Sequence, residues 1–160
     1  MAGRIEARLK ELKIELPKAA RPQANYVPST RAPFARGSNI LFISGQLSQW
    51  NGEPRFIGKL GGAISKPDGK AAARLCGLNI LAHVKAALDG DLDRVKQCLR
   101  LNGFVNSLPD FVEQPEIVNG CSDLMVEVLG DAGRHSRIAI GVASLPHGMA
   151  VEIDAIFEVE

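Results

Sequence analysis

The chain has 160 residues, 46% of them hydrophobic and 23% charged, with a formal net charge of +1. That size and balance suit one globular domain, and the near-zero charge supplies no field to gather nucleic acid or an anionic membrane. No apolar run approaches the ~20 residues of a membrane helix, and the start lacks a signal peptide's apolar core, so the expected compartment is cytoplasmic.

Residues 3–14 place Ile5, Leu9 and Leu12 at helical spacing among charged side chains, which predicts a short amphipathic helix that must dock. From Leu16 to Gly37 the prolines Pro17, Pro22, Pro28 and Pro33 predict an extended surface connector, and it carries Tyr26, the only tyrosine. The expected organisation is a helix and connector over 1–24 packed on a single domain over 25–160.

Asn39 to Ser44 predicts the first strand, ended by Gly45. A glycine there marks either a bulge or a place where a ligand or another backbone comes close. Trp50-Asn51-Gly52-Glu53 reads as a turn before a short strand around Arg55–Ile57. Gly58, Gly61 and Gly62 do not make a phosphate loop. Their spacing to Gly69-Lys70 is wrong, and Ala71 stands where Ser or Thr would bind magnesium.

Pro67 to Leu88 predicts the longest helix, with Leu75, Leu78, Ala82 and Ala86 as its apolar stripe and Gly90 beyond its end. His83 on this helix has no metal-spaced partner and reads as structural. Cys76, Cys98 and Cys121 are widely spaced, without a CxxC, and read as buried thiols. Val95 to Asn106 alternates apolar and polar residues, a half-buried strand. Pro109 to Leu129 predicts the second helix, irregular or freshly started between Pro115 and Gly120.

Arg137 to Val159 holds two β-branched runs around Leu145-Pro146-His147-Gly148, which predicts a hairpin. With Ser144 opposite Met149, the apolar face holds Ile138, Ile140, Val142, Val151, Ile153 and Ala155. Arg137, Ala139, Gly141, Glu152, Asp154 and Ile156 then share the other face. Small residues beside charges suggest a floor that something else approaches. The order β-β-α-β-α-β-β, with two main helices on one face of a mixed sheet, predicts an α+β sandwich. The sheet face left bare, the one with the Ala139 and Gly141 floor, is expected to be covered by another subunit.

No HExxH, GxSxG, catalytic Cys/His spacing or dinucleotide fingerprint is present. No metal site and no cofactor are expected. What remains is Arg137, whose planar fork suits a carboxylate, and Glu152, which can accept a proton from water. The plainer alternative is an interface ion pair. In the hairpin register these two lie roughly 13 Å apart along the strand, so a cleft between subunits is needed to bring an arginine to a neighbour's glutamate.

The ordered matches Phe42-Ile43-Ser44-Gly45-Gln46-Leu47, Phe104-Val105-Asn106, Asp110-Phe111, Arg137, Leu145-Pro146 and Val151-Glu152-Ile153-Asp154-Ala155-Ile156 resemble the RidA/YjgF family. The resemblance spans roughly Asn25 to Val159, and ANYVP and GKLG look like a bacterial branch without an assigned substrate. It implies a chorismate-mutase-like fold, a homotrimer with clefts between subunits, and hydrolytic deamination of a reactive 2-imino or enamino acid to a 2-keto acid and ammonia. It also implies that Arg137 clamps the ligand carboxylate and that Glu152 positions the attacking water. The other residues of the implied cleft are Gly45, Ala139, Tyr26 and Asn119. Ala139 stands where many of the deaminases carry Cys, and His135-Ser136 replaces the usual small or Pro residues before the arginine.

Two other readings stand beside the deaminase. One is a non-catalytic carboxylate-binding or regulatory trimer. The other is an endoribonuclease, from the family's alternative name L-PSP, although near-neutral charge and the lack of an aromatic-basic stripe argue against RNA.

Overall fold

The computed structural model describes residues 3–21, 24–34 and 37–160. Its elements are α1 (Arg4–Glu11), β1 (Ser29–Pro33), β2 (Asn39–Leu47), β3 (Gln49–Trp50), β4 (Glu53–Pro54), α2 (Lys66–Ala87), β5 (Val95–Asn106), α3 (Gln114–Leu129), β6 (Ser136–Val142) and β7 (Val151–Val159). One five-stranded sheet runs β1-β2-β7-β5-β6, with β5 and β6 parallel and every other pair antiparallel. It is the α+β sandwich expected from the sequence, with α2 and α3 covering one face.

The hairpin expectation is corrected. β6 and β7 do not pair: β6 takes the edge beside β5, and β7 lies in the middle between β5 and β2. The loop after β6 crosses over the C-terminal end of β5, and buried Asn106 holds it there. The Asn106 Nδ2 donates to the Met149 carbonyl at 3.1 Å, and its backbone N–H donates to the Ala150 carbonyl. The face assignment changes with the pairing. Arg137, Ala139 and Gly141 sit beside Leu101, Gly103 and Val105, which face the helices, whereas Ile138 and Ile140 sit beside Asn102 and Phe104 on the bare face.

β1 is a second correction, because the Pro-rich connector contains a true edge strand. Pro33 is tolerated at that edge, where no ladder donor is required of it. Residues 22, 23, 35 and 36 of the connector lie outside the described residues. β2 runs on past Gly45, with a bulge between Ile43 and Gln46. Asn51 and Gly52, both at positive φ, turn β3 into β4.

Ser65 caps α2 by accepting from the Asp68 N–H, and Pro67 occupies the first turn. The buried side of α2 holds Leu75 and Ala82 of the expected stripe but is broader and shifted from it. Ala72, Ala73, Cys76, Ile80 and Val84 enter the core, while Leu78 is half-buried and Ala86 exposed. α3 begins later than expected, at Gln114, with Pro115 in its first turn where a missing N–H is harmless. α1 sends Ile5 and Leu9 into the same core, and Asp93 accepts from its first N–H groups at 2.6 and 2.7 Å.

The helices meet closely at Gly120, where an added Cβ would strike the Lys70 carbonyl of α2. Backbone cannot give way as a side-chain tip can. Gly120→Ala is therefore expected to lose about 2–3 kcal/mol of stability, as overpacked cores do, measured by urea denaturation. An unchanged midpoint would mean that the helices separate freely there.

Candidate functional site

Two clusters lie on the framework, and the expected site residues divide between them. The first is built on β6 and α3. Arg137 projects from the edge strand toward the helix, where its Nη1 donates to Ser122 Oγ at 2.8 Å and its Nη2 to the Pro115 carbonyl at 3.1 Å. Pro115, Asn119 and Ser122 are spaced one turn apart on α3, so they share one helix face. Ser122 Oγ also lies 3.0 Å from His135 Nε2, while His135 Nδ1 lies 2.6 Å from the Gly133 carbonyl. Nδ1–H donating to the Gly133 carbonyl is the arrangement consistent with these contacts, and Ser122 Oγ bridges Arg137 and Nε2. Arg137 is half-buried and, among the described residues, has no carboxylate within ion-pair distance. Ala139 follows on the same face, half-buried against the core.

The second cluster lies around the start of β7. Tyr26, Gly45 and Glu152 line a cavity of about 270 Å³ together with Gln46, His83 and His147. Gly45 lies in the β2 bulge, and a Cβ there would collide with the Glu152 carboxylate. The bulge reading holds, and what closes over the glycine is the Glu152 side chain. Glu152 is half-buried, and its carboxyl is raised above the ordinary carboxylate range by burial first and by the charge of Asp154 second. His83 is buried in the wall of this cavity, and burial pushes its pKa down, so the imidazole is neutral at pH 7.

Glu152 pairs with Phe104 and Leu47, whereas Arg137 pairs with Leu101, which faces Ala155 across the ladder. Alternation therefore puts Arg137 and Glu152 on opposite faces of the sheet, two strands and roughly 10 Å of strand apart. The single-face placement expected from the hairpin register is corrected. Sequence reasoning missed Ser122 and the Pro115 carbonyl, although their helical spacing opposite an arginine was available as a signal. His83, read from the sequence as structural, is buried in the wall of the glutamate cavity. Among the described residues, no group of three or more His, Cys, Asp and Glu side chains is placed to hold a metal. All three cysteines are free and buried, with the Cys98 thiol pushed up to about 12 by burial.

The layout is that of a small chorismate-mutase-like α+β domain with a guanidinium and a carboxylate on separate walls. Comparison with known proteins agrees. The profile described as "YjgF/chorismate_mutase-like, putative endoribonuclease" matches residues 6–153. Protein TCP17 of Trypanosoma cruzi is 46% identical over 158 residues, 98% of this chain and 95% of that protein. The crystal structure of Atu1372, a protein of unknown function from Agrobacterium tumefaciens, is 49% identical with a TM-score of 0.89, covering 98% of this chain and 92% of that one. TdcF of E. coli, solved with bound serine, is 25% identical with a TM-score of 0.57, covering 91% of this chain and 93% of that one. The chain belongs to the YjgF/chorismate-mutase-like family.

The raised pKa of Glu152 has a sign that stability measurements can read. Its folded value lies above the unfolded value of ~4.3, so the folded state holds the proton more tightly. The associated stability is fully present below ~4.3 and is lost as pH rises through the folded value. Glu152→Gln, which cannot ionise, should exceed the parent in melting temperature at about pH 8, with the gap closing toward about pH 4. A pH-independent gap in thermal scans would contradict the assignment.

Proposed function

We propose that the protein hydrolyses a reactive 2-imino or enamino acid to the 2-keto acid and ammonia, in a cleft between subunits of a homotrimer. The observation that carries this reading is the state of Arg137. A half-buried guanidinium, positioned by a neutral hydroxyl and a carbonyl and lacking a carboxylate partner among the described residues, is an anion site. The bound serine of TdcF, itself a small amino acid carboxylate, supports a ligand of this kind.

The reaction assigns each wall a task. The ligand carboxylate takes the two-point contact of Arg137, with Asn119 and the Ala139 backbone beside it. From a neighbouring subunit, Glu152 accepts a proton from water as the water oxygen bonds to the carbon of the protonated imine, which gives a neutral carbinolamine. Glu152 returns that proton to the carbinolamine nitrogen, ammonia leaves as the C–N bond breaks, and the hydroxyl proton passes to Glu152 and on to the departing ammonia as the carbonyl forms. A carboxyl of raised proton affinity suits these transfers. Gly45 keeps the space beside the carboxylate open, and Tyr26 lines the same cavity.

The trimer reading rests on the bare sheet face. Phe42, Ile138 and Ile140 are 43%, 39% and 40% exposed there, and Phe104 and Ile156 lie between them. Removing such a patch from water is favourable at roughly 25 cal/mol per Å². Ile140→Glu should therefore leave the circular dichroism of the fold intact and shift sedimentation from trimer to monomer. A parent that already sediments as a monomer at micromolar concentration would overturn the trimer and the shared cleft together.

A carboxylate-binding trimer without turnover is the competing reading, and Ala139 in place of cysteine favours it. Arg137→Lys separates the possibilities when tested beside Arg137→Ala. Both should lose about 2–4 kcal/mol in kcat/KM, since a point charge cannot replace a two-point contact. Glu152→Gln should lower kcat with little change in ligand affinity. The assay supplies a dehydratase-generated 2-imino acid and follows its loss by semicarbazide trapping, with calorimetry for 2-keto acid binding. Wild-type behaviour of Arg137→Lys would rule out the clamp. Ligand binding without any acceleration would leave the non-catalytic trimer.

A further inference from the structure

A cavity that the deaminase reading does not use lies at the end of β6, between its last residues and the segment leading into α3. It has a volume of about 350 Å³, and its walls include Ser107, Phe111, Gln114, Gly141 and Val142. Gln114 is the chain neighbour of Pro115, whose carbonyl the Arg137 guanidinium touches, so the anion site and the cavity share one wall.

Gly141 keeps this space open. A Cβ at that position would stand 2.8 Å from Ser107 Oγ and 2.9 Å from Gln114 Nε2, which places both polar atoms over the glycine. Ser107 is 8% exposed, and among the described residues its hydroxyl has no hydrogen-bond partner. Gln114 Nε2 donates one hydrogen to the Phe111 carbonyl at 2.6 Å, which leaves its second N–H and its Oε1 unused. The hydroxyl opens onto the cavity, so a ligand group there can take the hydrogen bond that water otherwise makes, and an apolar group cannot. No charged side chain lines the cavity. Lys59 lies behind it, donating to Asn106 Oδ1 and the Ala143 carbonyl.

We propose that this cavity is the subsite for the distal end of the ligand, and that it selects 2-oxo or 2-imino acids tipped with a neutral hydrogen-bonding group, an amide above all. The inference rests on Arg137 holding the ligand carboxylate. An amide offers both a donor and an acceptor, which matches a hydroxyl and a carboxamide across the same space. An apolar tip leaves Ser107 unsatisfied, and a terminal carboxylate finds no cation in the wall.

Calorimetry on the full-length protein tests this with three probes of equal chain length: 2-oxoglutaramate, 2-oxopentanoate and 2-oxoglutarate. The amide should bind about tenfold more tightly than either of the others, the worth of one or two neutral hydrogen bonds. Ser107→Ala should bring the ratio of amide to 2-oxopentanoate affinity close to one, and Gly141→Ala, which fills the space, should do the same. Arg137→Ala should abolish binding of all three. If 2-oxopentanoate binds in an Arg137-dependent way but the amide gains nothing, the subsite is wrong and the carboxylate clamp stands. The subsite is equally wrong if the preference survives Ser107→Ala. If none of the three binds with any dependence on Arg137, the clamp itself fails and the subsite falls with it.

Discussion

The position of β7 in the sheet decides almost everything else. It pairs with β2 on one side and β5 on the other, so every second residue from Val151 to Val159 is pressed under the helices. The residues between them, Glu152, Asp154, Ile156 and Glu158, have only the bare face to occupy. Asp154 is drawn into a polar chain there, accepting from Asn102, which in turn accepts from Arg100. Among the described residues Glu152 has no such partner. It is half-buried at the end of the strand, against the bulge at Gly45, where its charge meets low dielectric and a neighbouring acid. A carboxylate of raised proton affinity and a hydrogen-bonded one thus arise on one strand, separated by a single pleat.

β6 is the complementary case. As an edge strand parallel to β5 it has one free side, and its inward residues meet the start of α3 rather than another strand. An arginine in that position finds carbonyls and a hydroxyl instead of carboxylates. The Ser122–His135 pair then fixes the head group without neutralising it. Had Ser122 been an aspartate, the guanidinium would be satisfied internally and worth far less to an incoming anion. Choosing neutral anchors is what keeps the charge available.

Much of the fold was legible because burial is written in periodicity. The boundaries of β5 and the presence of α2 and α3 follow from alternation and helical spacing, and the layering follows from their order. Pairing was not legible. The runs at 137–142 and 151–159 are separated by a Pro-Gly turn and satisfy hairpin alternation as well as they satisfy their true partners. What diverts the chain is a non-local hold, the buried Asn106 gripping Met149 and Ala150. β1 was hidden for a related reason, since an edge strand tolerates the prolines that elsewhere exclude a sheet. Of the expected cleft residues, Tyr26, Gly45 and Glu152 share one cavity, while Arg137 and Ala139 lie on the far side of the sheet with α3, the helix carrying Asn119. Composition and spacing carry residue identity into the site, but which face a strand presents depends on its neighbours.

The raised proton affinity of Glu152 shows how this division is sustained. Burying a carboxylate beside Asp154 works against folding at neutral pH, and a glutamine of the same shape would avoid that penalty. An ordinary exposed glutamate holds its proton too weakly to take one from water and return it to a leaving amine with comparable ease. In the proposed reaction, raising its affinity would narrow the mismatch in both directions, at the cost of local instability. The bulge at Gly45 belongs to the same compromise. It interrupts the β2–β7 ladder and gives up a side chain's packing, while the carboxylate keeps a pocket in which a small molecule can reach it. The sheet is least regular at this bulge, where a half-buried carboxylate faces a cavity beside the bare face.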